Sequence, residues 1–355
     1  MVPDSNRLQG VSASGDLEGF ESPEAAPAPA FKAEPWVPPS LVGVIIEKKK
    51  MKSLMRRSDA RPLLQLFLCV SSIALYGWLY YLSWGTRWVI PTIILFGGTL
   101  SLFAYSASHE CAHGTAFKTR WLNEVVFWFS SLIYGQEPMY RRYSHAEHHT
   151  YTWFWEKDAQ MSFTVRQKVD LWTYIRWYLG IEYRFVFVAV RNAFGKFSEK
   201  TRRFTPASEL WPMRRNSIVF VTVWVALAAL SIYFQSMLVV WFYVIPKIVG
   251  DVISRSFVAT QHFEMGEDDL DLTHSTRSIK NNWFYGLYYW NMSYHVEHHF
   301  APTVPFHKLP ALNAEVKTRL PEPRGVIPLT IDIYKAMRNR HLSIETDALE
   351  VPAPH

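Results

Sequence analysis

The sequence predicts an all-α integral membrane protein with four transmembrane helices in two hairpins and a cytoplasmic helical cap holding a metal site. Three observations carry that expectation. Apolar stretches of about 20 residues, the length that crosses a hydrocarbon core, occur in two closely linked pairs. Lys and Arg gather before each pair and are nearly absent from the two tips between partners. Eight of the 13 histidines fall into three tight clusters near the polar ends of those stretches.

Taken in order, residues 1–45 are rich in Pro, Ala, Ser and Glu, as in ESPEAAPAPAFKAEP, and are expected to form a disordered tail. No cleavable signal peptide is expected there. The membrane domain is drawn over residues 46–320, with spans at about 62–84, 88–108, 217–235 and 237–254. Only Gly85-Thr86-Arg87 separates the first two, which demands a tight hairpin. The fourth carries Pro246, Lys247 and Asp251, so its later part is expected to leave the lipid and face protein or water. Two other apolar stretches, 121–136 and 172–195, are too short or too charged to span and suit the membrane interface. Residues 321–355 are expected to be a cytoplasmic tail.

Charge sets the sidedness. Seven basic residues between Lys48 and Arg61 precede the first span, and seven between Arg191 and Arg215 precede the third. The hairpin tips offer Arg87 alone, so both termini and the 109–216 region are expected on the cytoplasmic side. The membrane is then a bacterial inner membrane or the eukaryotic endoplasmic reticulum. With Cys69 and Cys111 as the only cysteines, a disulfide framework is excluded and a reducing compartment is expected. The net charge of +6 flanks apolar runs instead of tracing a groove, so a nucleic-acid partner is not expected.

The histidine clusters are HECAH (His109, His113), HAEHH (His145, His148, His149) and HVEHH (His295, His298, His299). On a helix, positions i, i+3 and i+4 share a face, so each cluster is expected to aim its imidazoles at one point. HECAH by itself matches the zincin pentapeptide, in which the glutamate acts as general base. A zincin needs three protein ligands and an open position, which leaves most of these imidazoles without a role. Eight suit two metals, and imidazole accepts zinc, copper, iron or nickel. Cys111, two residues from His109, points off the ligand face.

In these boxes and their flanks the chain resembles the membrane fatty acid desaturases and related hydroxylases. The resemblance runs from about residue 58 to about 315 and includes ECAHGTAF, HTYTWFWEKDAQ and HHFAPTVPFHKLPAL, the last with Pro302, Pro305, Leu309 and Pro310. It implies two iron ions, O2 as co-substrate and removal of hydrogen from an unactivated C–H bond. The ligands implied are the eight box histidines, with His262 added from the extension of the last span. Asn291, four residues before His295, is placed to hold a metal-bound water or to serve as a packing amide. Glu110, Glu147, Glu297, Asp158 and Asp251 are expected to accept from the ligands' second nitrogen or to lie on the solvated surface. His274 stays unassigned.

The substrate implied is a fatty acyl chain, as free acid, coenzyme A ester, carrier-protein conjugate or lipid. The aromatic run 282–294 lines its tunnel or packs the core. Neither a dinucleotide fingerprint nor a heme-binding His-Pro-Gly-Gly motif is present, so a separate ferredoxin, rubredoxin or cytochrome b5 with its reductase is expected. Desaturation leads; hydroxylation, terminal-alkene-forming decarboxylation, a zinc protease and a non-catalytic metal-binding protein are the alternatives.

Overall fold

The computed structural model describes residues 46–165, 169–179 and 184–349. The disordered tail expected over 1–45 lies outside them. Among the described residues every regular element is a helix, and the only β-pairing is an isolated bridge between Ile279 and Arg324. After the short α1 (Lys48–Leu54) come α2 (Ala60–Leu82), α3 (Val89–Ala112), α4 (Arg120–Tyr134) and α5 (Pro138–Thr150). Three smaller helices follow, α6 (Leu171–Leu179), α7 (Arg184–Ala193) and α8 (Glu199–Phe204). Then come α9 (Leu210–Tyr233), a π-helical turn (Val240–Val244) and α10 (Ile245–His262). The chain ends with α11 (Leu272–Ser275), α12 (Trp283–Tyr288), α13 (His295–Phe300), α14 (Leu309–Val316) and α15 (Val326–Leu349).

Three helices among the described residues are long and apolar enough to cross a membrane: α2, α3 and the stretch Ala207–Tyr233 that contains α9. On α2 and α9 large apolar side chains point outward, including Phe67, Trp78, Ile232 and Tyr233. Water would drive such faces into aggregates, whereas lipid solvates them. The fourth expected span coincides with the π turn and the first half of α10, where Lys247 and Asp251 interrupt the apolar window. Lys247 and Asp251 neutralise one another at 2.6 Å. Within the 172–195 stretch, the described residues include α6 and α7.

Helix α3 is the central post, packed on α2, α4 and α10, and from Phe96 to Ala112 it is buried except at Leu100. Its contact with α10 is backbone to backbone. A Cβ added at Gly97 would lie 2.2 Å from the Pro246 carbonyl oxygen, and one at Gly250 would lie 1.9 Å from that of Gly97. The Gly250 position also meets Ser101 Oγ at 2.6 Å. Contact thus steps from 97–246 to 101–250, four residues forward on both helices, so the two run in the same direction. Their C-terminal ends, with His109 and His262, therefore arrive together.

The remaining elements close over that end. Glu137 caps α5 by accepting from the Met139 and Tyr140 amides, with Pro138 at the first helical position. Gly135, at φ 91°, ends α4 in the left-handed conformation open to glycine. The segment after residue 320 is helical as α15, which buries Leu329 in the main core and Ile333 and Met337 beside Trp153 and Phe263.

Candidate metal centre

Nine buried or half-buried imidazoles converge in two groups. His109, His113, His145, His149 and His298 form one; His148, His262, His295 and His299 form the other. Within each group, one nitrogen from every residue lies within 4.8 Å of all the rest. In the first group the Nε2 pairs His109–His298 and His113–His145 are 2.9 Å apart, with His145–His149 at 3.1 Å. In the second, His262–His295 and His295–His299 stand at 2.8 and 3.2 Å.

The expectation that each box aims at one point does not hold. His145 and His149 serve the first group and His148 the second, while His295 and His299 serve the second and His298 the first. The reason is helical geometry: at about 100° per residue, i and i+4 sit roughly 40° apart, but i+3 and i+4 are divided by about 100°. Each three-histidine box therefore contributes an i, i+4 pair to one group and its i+3 residue to the other.

Hydrogen bonds orient the rings. His148 Nδ1 donates to Asp158 Oδ2 at 2.7 Å, and that carboxylate also accepts from the Trp153 and Gln160 amides. His262 Nδ1 donates to the Ser275 carbonyl at 3.0 Å. The Thr152 hydroxyl gives its hydrogen to the His148 carbonyl, so it accepts from His299 Nδ1 at 3.1 Å. His262 and His299 thus each turn a bare Nε2 lone pair toward His295. His109 Nδ1 meets the Tyr105 hydroxyl and His145 Nδ1 meets Gln160 Oε1, both at 3.3 Å. The Trp153 ring stacks on His262 with centroids 5.2 Å apart.

The five acids divide. Asp158 meets His148 as expected, and Glu110 accepts from Thr115 and the Phe306 amide, with its second oxygen 4.0 Å from His298 Nδ1. The others turn away from the imidazoles. Glu147 forks onto Arg203 at 3.0 and 3.1 Å, Glu297 accepts from Ser278 and Asn313, and Asp251 is held by Lys247. Glu147 and Glu297 each stand two residues after the first histidine of their box, on the far side of the helix. Asn291 also departs from expectation. It lies in a turn with φ 55°, before α13 begins, so it shares no helical face with His295, and its amide donates to the Phe306 carbonyl. His274 is exposed and donates to Asp269. Tyr105, Thr152, Gln160 and the Ser275 carbonyl are ring-orienting groups that the boxes do not announce; Tyr105 alone carries a signal, four residues before His109.

Electrostatics favour the neutral form in the rings of His113, His145, His149, His262, His295, His298 and His299. Burial first, then neighbouring imidazoles, hold His145, His149, His295 and His299 well below the ordinary histidine range. Burial and then Arg141 push His113 down to about 3. Asp158 resists burial, which alone would raise it, because His148 and two backbone amides keep it below the usual carboxylate value. Neutral imidazoles are the protonation state that binds a cation through Nε2, and five of the nine, His109, His145, His148, His262 and His299, have Nδ1 held by a hydrogen bond. The spacing fits as well: two nitrogens about 2.1 Å from one ion at right angles lie roughly 3.0 Å apart. A cavity of about 480 Å³ reaches this cluster at His109, His148, His262 and His295.

Residues 83–328, which include all nine histidines, match the family model described as fatty acid desaturase. The chain is 27% identical over 241 residues to the dihydrorhizobitoxine desaturase of Bradyrhizobium elkanii, covering 63% of this chain and 66% of that protein. It is 26% identical over 231 residues to the acyl-lipid (9-3)-desaturase of Physcomitrium patens, covering 57% of this chain and 43% of the relative. The chain thus spans just under two thirds of the first relative's length and under half of the second's.

Proposed function

Because the chain belongs to the fatty acid desaturase family, we propose that it is a membrane-bound di-iron oxidase that uses O2 and external electrons to desaturate an aliphatic acyl chain. The observation that carries this reading is the convergence of nine imidazoles in two groups at the joined ends of α3 and α10. His109, His113, His145, His149 and His298 would hold one iron; His148, His262, His295 and His299 would hold the other. Bound iron supplies O2 activation and the oxidising power to remove hydrogen from an unactivated C–H bond.

The chain's own residues bind, orient and exclude. Asp158, Ser275 and Thr152 fix the rings of His148, His262 and His299 and keep their protons on Nδ1. Trp153 covers one side of His262, which limits water there. The cavity gives a substrate chain access to both groups, since His109 belongs to one and His148, His262 and His295 to the other. Desaturation is common to the names of both relatives, one naming dihydrorhizobitoxine and the other acyl lipids, which favours it over hydroxylation and decarboxylation. The membrane arrangement that suits this reading has four spans, the fourth formed by the π turn and the first half of α10. Basic residues before α2 and α9 support an arrangement with both termini and the histidines on the cytoplasmic side, where a separate ferredoxin, rubredoxin or cytochrome b5 would deliver electrons.

Mass spectrometry of lipids, free acids and hydrocarbons from cells expressing the gene with a confirmed electron donor tests the reaction. Products two hydrogens lighter than their precursors are expected, and abolished by His148→Ala. Products one oxygen heavier would replace desaturation by hydroxylation, and an unchanged profile would contradict the oxidase reading.

A further inference from the structure

A buried cation in the cavity has no counter-charge among the described residues. Arg141 stands on α5 one turn before His145, is only 3% exposed, and lines the cavity with His109, His148, His262 and His295. Its Cζ lies 5.0 Å from the Tyr105 ring centroid and 5.2 Å from that of Tyr134. Nη1 donates to Gln136 Oε1 at 3.2 Å. Nε and Nη2 have no hydrogen-bond partner among the described residues, and none of the ion pairs there involves Arg141. The next residue shows the contrast: Arg142 reaches Glu124 and the Ala112 carbonyl.

The identity of the two orphan donors matters. Nε and Nη2 lie along one edge of the planar guanidinium, and their N–H bonds run parallel, in the geometry that grips a carboxylate by both oxygens. A buried cation with two unmet donors is costly until an anion completes it. The cavity supplies room for that anion, and its lining includes the polar side chains of Gln136, Ser144, Gln160 and Ser254. The distance to the imidazoles is short: the Tyr105 ring that Arg141 overlies places its hydroxyl 3.3 Å from His109 Nδ1.

We propose that Arg141 binds the carboxylate of the substrate inside the cavity, so that the enzyme takes a free carboxylic acid and oxidises carbons close to its acid end. A lipid- or thioester-linked chain, whose acyl carbon bears no charge, leaves this donor pair unmet. The assignment of the cavity to substrate rests on the oxidase reading above, but carboxylate binding is measured without turnover.

The test is calorimetric titration of the purified, iron-loaded full chain in detergent with octanoate and, separately, with methyl octanoate. The acid should bind about ten-fold or more tighter than its ester, the range expected for charge-assisted hydrogen bonds. Arg141→Gln should bring the two within about two-fold, and Arg141→Lys should restore part of the preference through charge without the paired edge. Iron content and thermal unfolding establish that each variant is folded; where Arg141→Gln is not, the acid–ester comparison in the unaltered chain and in Arg141→Lys decides. Equal binding of acid and ester by the unaltered chain, or a preference that survives a folded Arg141→Gln, overturns the proposal. Mid-chain oxidation of a lipid-linked acyl group also overturns it while leaving the oxidase reading intact. Arg141-dependent acid binding with no oxidised product would sustain the carboxylate site and sink the oxidase reading.

Discussion

Asp158 shows how much one side chain outside the histidine boxes contributes. It accepts a hydrogen bond from His148 Nδ1 and also ties down the loop through the Trp153 and Gln160 amides. Groups that orient a metal-binding imidazole typically contribute 10- to 100-fold in metal affinity or activity. Asp158→Asn is therefore expected to weaken iron binding in the second group by about that factor, measured by titrating the apo-protein with ferrous iron under anaerobic conditions. Unchanged affinity would remove Asp158 from the site. The ligand types were legible in the sequence because HxEHH occurs twice, and each copy stacks three imidazoles within two turns of helix, a density that metal binding requires and packing does not. Their partners were less legible, because most come from distant segments or from the main chain, as with the Ser275 carbonyl. Arg141 was silent for a different reason: in YRRYS it reads as one more basic residue beside Arg142, and only burial without a partner sets it apart.

At the scale of elements, the critical contact is the parallel crossing of α3 and α10. Gly97 and Gly250 let the two backbones touch, and that register carries His262 to the end where His109 waits. Gly250→Ala would drive a methyl group into the Gly97 carbonyl, an overpacking cost of about 1–3 kcal/mol. Separation of the helices would also draw His262 from its group. A lower unfolding temperature together with reduced iron content is expected in detergent-purified protein; normal values for both would show that the helices part without consequence. The apolar stretches at 62–84, 88–108 and 217–235 anticipated α2, α3 and α9 to within a few residues, except that α9 begins earlier, because hydropathy over 20 residues leaves little choice. Helix α10 was harder to bound, since its charged half is helical by packing on α3 instead of by apolar character, and it continues eight residues beyond 254 to His262. The placement of Asn291 on a helical face with His295 fails because the chain turns there with positive φ, and its amide contact to the Phe306 carbonyl fits the packing role instead.

For the whole molecule, the arrangement joins an apolar bundle to a polar cap through one shared helix end. The long helices present apolar side chains outward, while the loops and short helices after α3 and α10 bring the second and third boxes over the first. Division of every three-histidine box between two groups is the feature that most strongly supports the two-ion proposal, since removing either group would strand imidazoles from both boxes. It also separates this chain from a zincin, where HECAH and one further ligand would suffice. The most direct measurement is the metal content of protein purified anaerobically after expression with ample iron, by elemental analysis against quantitative amino-acid analysis. Two irons per chain are predicted, falling to about one in a folded His262→Ala variant; a single zinc per chain with no iron would contradict the di-iron account.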